Sequence, residues 1–190
     1  MLGKFGLAAL GSACLLLVGL AHSQDEDLFS FIPQGGRTLL ADLSSTGLSG
    51  TVQQAVQAGG MSGTEWLDYL DAQAGSDPAL AALDESQRQT LADYLGYNAP
   101  ISLGQANADP LPPDGRDLAL QYCQSCHIIT VVVTQDRARE AWLGTLNKPS
   151  HVGVDLTPQQ REALADYLVV NGGIPIEAVP PALRAGGASY

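Results

Sequence analysis

The sequence predicts an all-α protein built from two small helical units. Segments 83–95 and 156–168 are identical at eight of 13 positions without a gap. A Gly-Arg pair and a tryptophan recur upstream of both segments. The two copies are 79 residues apart at the Gly-Arg pair, 76 at the tryptophan and 73 at the matching segments. An unrelated helical segment is the alternative for the first copy, but three features in the same order favour an internal repeat.

Each copy ends in a segment that carries the start signals of a helix. Thr157 is the predicted N-cap, Pro158 follows at the first helical position, and Gln160 completes a capping box. Asp84 and Gln87 are the corresponding cap and partner in the first copy. Apolar residues three and four apart give each helix one buried face, formed by Leu91, Tyr94 and Leu95 in the first copy and by Leu164, Tyr167 and Leu168 in the second.

Residues 1–23 have the three parts of a secretory signal peptide. A positive start at Lys4 precedes an apolar stretch over 5–21, and Ala21-His22-Ser23 is a small-x-small cleavage site. We expect a mature chain that begins at Gln24, contains no membrane span and resides in the periplasm. An uncleaved membrane anchor is the alternative, although about 17 apolar residues are marginal for crossing a bilayer.

Changes in composition set the remaining boundaries. Residues 24–100 form the first unit, 101–113 a Pro- and Gly-rich linker, 114–175 the second unit, and 176–190 a loose tail.

The charge balance excludes several classes of partner. The chain has 9 Lys+Arg against 20 Asp+Glu, a formal net charge of −11. A nucleic-acid-binding protein needs a basic face to neutralise phosphates, and an anionic membrane surface attracts basic segments. Both are therefore unexpected partners. Three cysteines also exclude a disulfide-rich scaffold.

One motif carries chemistry. Cys123-Gln124-Ser125-Cys126-His127 is the attachment signature of c-type haem. Cysteines three residues apart on a helix share a face, so both sulfurs can reach one porphyrin, and the following histidine can ligate its iron. A redox-active cysteine pair, half of a zinc site and a structural disulfide are the alternatives. We expect one covalently attached haem c, held by Cys123 and Cys126, with His127 as a metal ligand.

The second unit resembles a class I-type monohaem cytochrome c domain. The resemblance is carried by Gly115-Arg116, the motif at 123–127, Trp142 and the Ala-Asp-Tyr-Leu sequence at 165–168. Within that class it is similar to the haem domains that serve periplasmic dehydrogenases. The resemblance implies a compact all-α fold around one haem and a role in one-electron transfer. Trp142 is expected in the core, and the β-branched run 128–133 is expected as a loop packed on the porphyrin edge.

The sequence departs from this family at the sixth iron ligand. Such domains usually place a methionine shortly before the final helix, and none occurs there. His151, 24 residues after His127, lies at about that position, so we predict bis-histidine ligation. Lys148 and Met61 are weaker candidates. A five-coordinate iron, with His151 as an exposed loop residue, is the alternative.

The first unit lacks the haem-attachment residues. The positions that match Cys123, Cys126 and His127 are Ser44, Gly47 and Leu48. We therefore interpret the first unit as a haemless, degenerate cytochrome c-like repeat that packs against the haem unit or docks a partner.

The predicted function is single-electron transfer between a donor, such as a dehydrogenase or a respiratory complex, and an acceptor. Under this interpretation the protein is not itself an enzyme. A haem enzyme or gas-binding protein with an open sixth position is one alternative, and a structural subunit of a larger oxidoreductase complex is another. Loss of Lys4 with the signal makes the formal charge −12, which predicts a redox partner with a basic docking face.

Overall fold

The computed structural model describes residues 28–103 and 110–184, which contain helices and no strand. The predicted all-α class is confirmed for these residues. The predicted signal peptide at 1–23, the mature start at Gln24 and the last six residues of the chain lie outside the described residues. The helices in chain order are α1 (Gly36–Thr46), α2 (Gly50–Ala58), α3 (Gly63–Ala74), α4 (Pro78–Ala81), α5 (Glu85–Asn98), α6 (Gly115–Tyr122), α7 (Thr130–Val133), α8 (Arg139–Leu146), α9 (Pro149–Val152), α10 (Pro158–Asn171) and α11 (Pro181–Arg184).

The predicted helix starts are present in the structure. Capping boxes formed by Asp84 with Gln87 and by Thr157 with Gln160 begin α5 and α10, the last long helix of each half of the chain. In each box a side chain satisfies backbone N–H groups that have no partner within the helix. All six apolar residues predicted for the inner faces of these helices are buried.

Buried side chains form two clusters, one in the N-terminal half (28–103) and one in the C-terminal half (110–184). In the N-terminal half α5 packs against α1 and α3, and in the C-terminal half α10 packs against α6 and α8. Helices α5 and α10 also pack against each other, so the halves share a contact surface. Ile32 belongs to the second cluster although it precedes α1. Burial of each leucine or isoleucine side chain in these clusters stabilises the fold by about 1.5–3 kcal/mol.

Two tyrosines at matching positions join the halves crosswise. The Tyr94 hydroxyl on α5 donates to the carbonyl of Pro112 at 3.0 Å, and the Tyr167 hydroxyl on α10 donates to the carbonyl of Pro33 at 2.6 Å. Each acceptor lies three residues before the first residue of the other half's first long helix. The two hydrogen bonds therefore follow the internal repeat.

The Asp114 carboxylate caps two helices at once. Its Oδ1 accepts from the backbone N–H of Asp117 in α6 at 2.9 Å, and its Oδ2 accepts from the backbone N–H of Arg37 in α1 at 2.8 Å. Helix α1 has no side-chain cap of its own at Gly35. A Cβ at Gly35 would lie 2.0 Å from Asp114 Oδ2, so only glycine leaves room for this shared cap.

Three segments differ from the sequence-based expectations. Residues 130–133, expected as part of a loop, form helix α7, because Ile129, Thr130 and Val133 all turn into the second cluster. Part of the expected linker packs on the first cluster through Ile101. Within the expected tail, Val179 is fully buried, and residues 176–184 include a 3-10 turn and helix α11.

Within the described ranges, no helix combines the length and the hydropathy needed to cross a lipid bilayer.

We predict that Gly36→Ala and Gly115→Ala each lower the free energy of unfolding by about 1–3 kcal/mol, because overpacking forces the contacting helices apart. A Cβ would lie 2.2 Å from Tyr94 Cβ at the first position and 2.1 Å from Tyr167 Cβ at the second. Urea unfolding measures the change. Gly144→Ala in α8 is the control, because no atom lies within 4 Å of its Cβ position. An unchanged unfolding midpoint for both test variants would contradict close helix contact.

Asp93 and Asp166 occupy matching positions in the two halves, and we expect their replacement by asparagine to change the stability of the fold in opposite directions. Burial raises the pKa of Asp93 to about 6, with a further rise from Asp166 that is opposed by a hydrogen bond from Gln89 and by Arg139. A carboxyl whose folded pKa is raised destabilises the fold as pH increases from about 4 to about 6. We expect Asp93→Asn to raise the free energy of unfolding at pH 7 by about 1–3 kcal/mol and to have little effect near pH 4.

Asp166→Asn is the matched variant, and we expect it to lower stability at pH 7. The Asp166 carboxylate accepts from Tyr97 Oη and pairs with Arg139 Nε, each at 2.5 Å. Unfolding curves at pH 4 and pH 7 separate the two variants. Equal destabilisation by both at pH 7 would show that the Asp93 carboxylate is not penalised by burial.

Candidate functional site

A cavity of about 370 Å³ opens in the C-terminal half. Its wall is formed by the end of α6, the segment after it, α8, α9 and one face of α10. The surface of the cavity is mostly apolar, and it includes Cys123, Cys126, His127 and His151. The other lining residues are Tyr122, Val132, Trp142, Thr145, Leu146, Ser150, Val154, Leu156, Leu164 and Leu168. The structure therefore brings together all four residues that the sequence analysis selected.

The Cys-x-x-Cys-His motif follows directly from α6. Capping by Asp114 fixes the start of α6, which ends at Tyr122, and Cys123–Ser125 continues as a 3-10 turn. The backbone N–H of His127 donates to the Cys123 carbonyl at 3.2 Å. Side chains three residues apart eclipse in a 3-10 turn, so both cysteines can face the same cavity.

The protonation state of Cys123 bears on the alternatives to haem. Neither Cys123 nor Cys126 is part of a disulfide, and Cys123 is half-buried whereas Cys126 is exposed. Burial raises the pKa of the Cys123 thiol to about 11. Redox-active and metal-binding cysteines react as thiolates and have lowered pKa values, which is the opposite of this environment. Among the described residues, no three His, Cys, Asp or Glu side chains form a metal-binding group.

The two histidines both line the cavity and lie close to each other. Their ring centroids are 6.4 Å apart, and the ring planes are inclined by 27° in a roughly parallel arrangement. With metal–nitrogen bonds of about 2 Å, one metal ion bound by both imidazoles needs their nitrogens about 4 Å apart, which side chains at this centroid distance can reach by rotation.

A hydroxyl group orients the His151 ring. Ser150 Oγ lies 3.1 Å from His151 Nδ1. A metal-ligating histidine commonly uses its second nitrogen in such a hydrogen bond, which fixes the tautomer and the ring orientation. This contact leaves Nε2 of His151 available as a ligand atom. His151 itself lies in helix α9 rather than in the loop expected from the sequence.

Trp142 adds a polar atom to the apolar wall. Its ring is 4% exposed, as predicted for a core residue, and among the described residues its Nε1 has no hydrogen-bond partner. The guanidinium carbon of Arg137 lies 5.3 Å from the centroid of the ring. The matching Trp66 in the N-terminal half also has a buried Nε1 without a partner among the described residues, so this atom does not by itself distinguish the cavity.

The N-terminal half has leucines at the positions of both histidines. Leu48 matches His127 in the repeat, and Leu80 in α4 occupies the place that His151 has in α9, since both one-turn helices begin with proline after the tryptophan helix. Leu48 and Leu80 are buried in the first cluster together with Trp66. Apolar side chains therefore fill the interior where the C-terminal half has a cavity.

Two features of the site were not found from the sequence. Leu164 and Leu168 were predicted as part of an inner helix face, but they line the cavity instead of only packing on other helices. Arg161 on the same helix hydrogen-bonds the segment that carries His151. An arginine recurs at this position in both copies, as Arg88 and Arg161. That recurrence alone does not show whether the side chain is exposed or hydrogen-bonds another segment.

Comparison with known proteins gives no relative from which a role could be transferred: no protein-family model, no curated protein and no solved structure matches the chain.

Proposed function

We propose that this protein is a c-type cytochrome that carries single electrons and binds one covalent haem in the cavity of its C-terminal half. The observation that supports this most strongly is the convergence of Cys123, Cys126, His127 and His151 on one apolar cavity. The 6.4 Å separation of the two imidazole rings places both histidines close enough to approach one iron.

Each residue has a separate role in this proposal. The Cys123 and Cys126 sulfurs would hold the cofactor through thioether bonds, and the imidazoles of His127 and His151 would ligate its iron. The haem supplies a one-electron Fe(III)/Fe(II) couple. Leu164 and Leu168 exclude water from the cavity wall, and such an apolar environment lets small changes of charge act strongly on the redox couple.

The position of His151 favours electron transfer over catalysis at the iron. A six-coordinate iron with two protein ligands leaves no site for a substrate or a gas, whereas an enzyme or gas-binding protein keeps the sixth position open. His151 lines the cavity within reach of the site facing His127. We therefore propose a carrier or a cytochrome subunit and not an enzyme.

The proposal includes export and a positively charged partner. Haem attachment at a Cys-x-x-Cys-His motif agrees with the predicted signal peptide and a periplasmic location. Residues 28–103 carry eight Asp+Glu and two Arg, whereas residues 110–184 carry eight Asp+Glu and six Lys+Arg. The haemless half thus bears most of the excess negative charge, and we propose that it steers a redox partner, such as a dehydrogenase, that has a basic docking face.

The test is replacement of the proposed sixth ligand in the haem-loaded protein. We expect wild type to be low-spin in both oxidation states and to have a lower reduction potential than a His/Met cytochrome, because imidazole donates to ferric iron better than a thioether. His151→Ala should become high-spin and bind carbon monoxide in the ferrous state. Optical spectra and carbon monoxide titration measure both changes.

Val152→Ala is the matched control, because Val152 is the next residue of α9 and is 61% exposed. It should keep the wild-type spectrum. Rapid carbon monoxide binding by wild type, or a sulfur-to-iron charge-transfer band, would remove His151 from the iron and favour the open-site alternative.

A further inference from the structure

The segment that carries His151 is weakly packed against the rest of the protein. Residues 147–155 connect the buried Leu146 to the buried Leu156, and none of the side chains within 147–155 is buried. Apolar packing, which fixes most core segments, is limited here to the partly buried Val154, which packs against the second cluster. Polar contacts therefore contribute much of what holds the segment in place.

Arg161, near the start of α10, provides these contacts. Its Nη1 donates to the carbonyl of Leu146 at 2.5 Å, and its Nη2 donates to the carbonyl of Val154 at 2.8 Å. The carbonyl of His151 lies 3.4 Å from both nitrogens. One guanidinium thus connects the residue before the segment, the histidine within it and a residue near its end.

The charge of Arg161 is directed at backbone carbonyls alone. Among the described residues, no carboxylate lies within salt-bridge distance of its guanidinium. A guanidinium presents its donors in a rigid planar fork, so it can fix several carbonyls relative to one another. A lysine ammonium lacks that geometry.

The matching arginine in the N-terminal half serves a different segment. Arg88 lies 73 residues earlier, donates to the Leu83 carbonyl, and pairs with the Asp71 carboxylate at 2.7 Å. The helix equivalent to α9 in that half is α4, which is anchored by the fully buried Leu80. In the N-terminal half the buried Leu80 anchors α4, and Arg88 makes its contacts elsewhere. In the C-terminal half the partly buried His151 does not anchor α9 in this way, and Arg161 hydrogen-bonds the segment that contains it.

We propose that Arg161 is a positioning residue that keeps His151 at ligating distance from the iron of the proposed haem. This inference rests on the proposed function, since it assumes that His151 is an iron ligand. Without the guanidinium, the segment 147–155 would move away from α10 more often, and His151 would leave the iron more often. An external ligand would then compete more successfully for the sixth position.

The experiment measures carbon monoxide binding and spin state in the full haem-loaded protein. Hydrogen bonds from a charged donor contribute more free energy than neutral ones. We therefore expect ferrous Arg161→Ala to bind carbon monoxide about tenfold faster than wild type, or more. Arg161→Lys should fall between wild type and Arg161→Ala, because a single ammonium can keep only part of the contacts. Arg161→Ala should also show a high-spin fraction that wild type lacks.

Arg88→Ala is the matched control, since it removes the same side chain at the same repeat position without touching the His151 segment. It should leave the carbon monoxide rate and the spin state unchanged even if it lowers thermal stability.

Equal rates for wild type and Arg161→Ala, together with a high-spin His151→Ala, would overturn the role of Arg161 and leave the proposed function intact. An unchanged spectrum for His151→Ala would overturn the ligation itself. If Arg161→Ala does not load haem, the rate for Arg161→Lys decides, and a wild-type rate would count against the proposal.

Discussion

The Asp114 carboxylate, buried between the two halves, accepts the backbone N–H groups that begin both α1 and α6. Burial raises the pKa of this carboxyl group, and the backbone donors together with the Arg37–Asp117 ion pair beside it offset the cost of a buried charge. The start of α6 is thereby fixed relative to the N-terminal half. Because α6 leads directly into the 3-10 turn at Cys123, the same contact sets where Cys123 and Cys126 enter the cavity.

A common arrangement of helices surrounds two different interiors. In both halves an N-terminal helix begins with a glycine pressed against a tyrosine of the last long helix, and a buried tryptophan lies on the helix between them. The difference is local: Leu48 and Leu80 close the first interior, whereas the second has His127 and His151 around a cavity. Filling a cavity with leucine stabilises a small fold, so the N-terminal half can act as a rigid support for the half in which we propose the cofactor.

Local signals in the sequence were sufficient for the helix caps and the buried helix faces, and the four residues selected as a site all line one cavity. Caps and periodic apolar faces depend on neighbours within a few residues, and the Cys-x-x-Cys-His motif is a short pattern. Contacts between distant segments were not predictable in the same way. The crosswise bonds of Tyr94 and Tyr167, the burial of Val179 and the contacts of Arg161 each need the tertiary arrangement. Helix α7 was expected as part of a loop because the run follows His127 directly, whereas Ile129 and Val133 pack into the second cluster.

The central claim is that one half of this duplicated fold holds a haem and the other holds none. The most direct measurement is the intact mass of the exported protein, combined with a count of free thiols, from a host that attaches c-type haem. The account predicts a chain that begins at Gln24, carries one haem and has no free thiol, since Cys14 is removed and both remaining cysteines are bonded. A chain with two free thiols and no haem, or one with two haems, would contradict it.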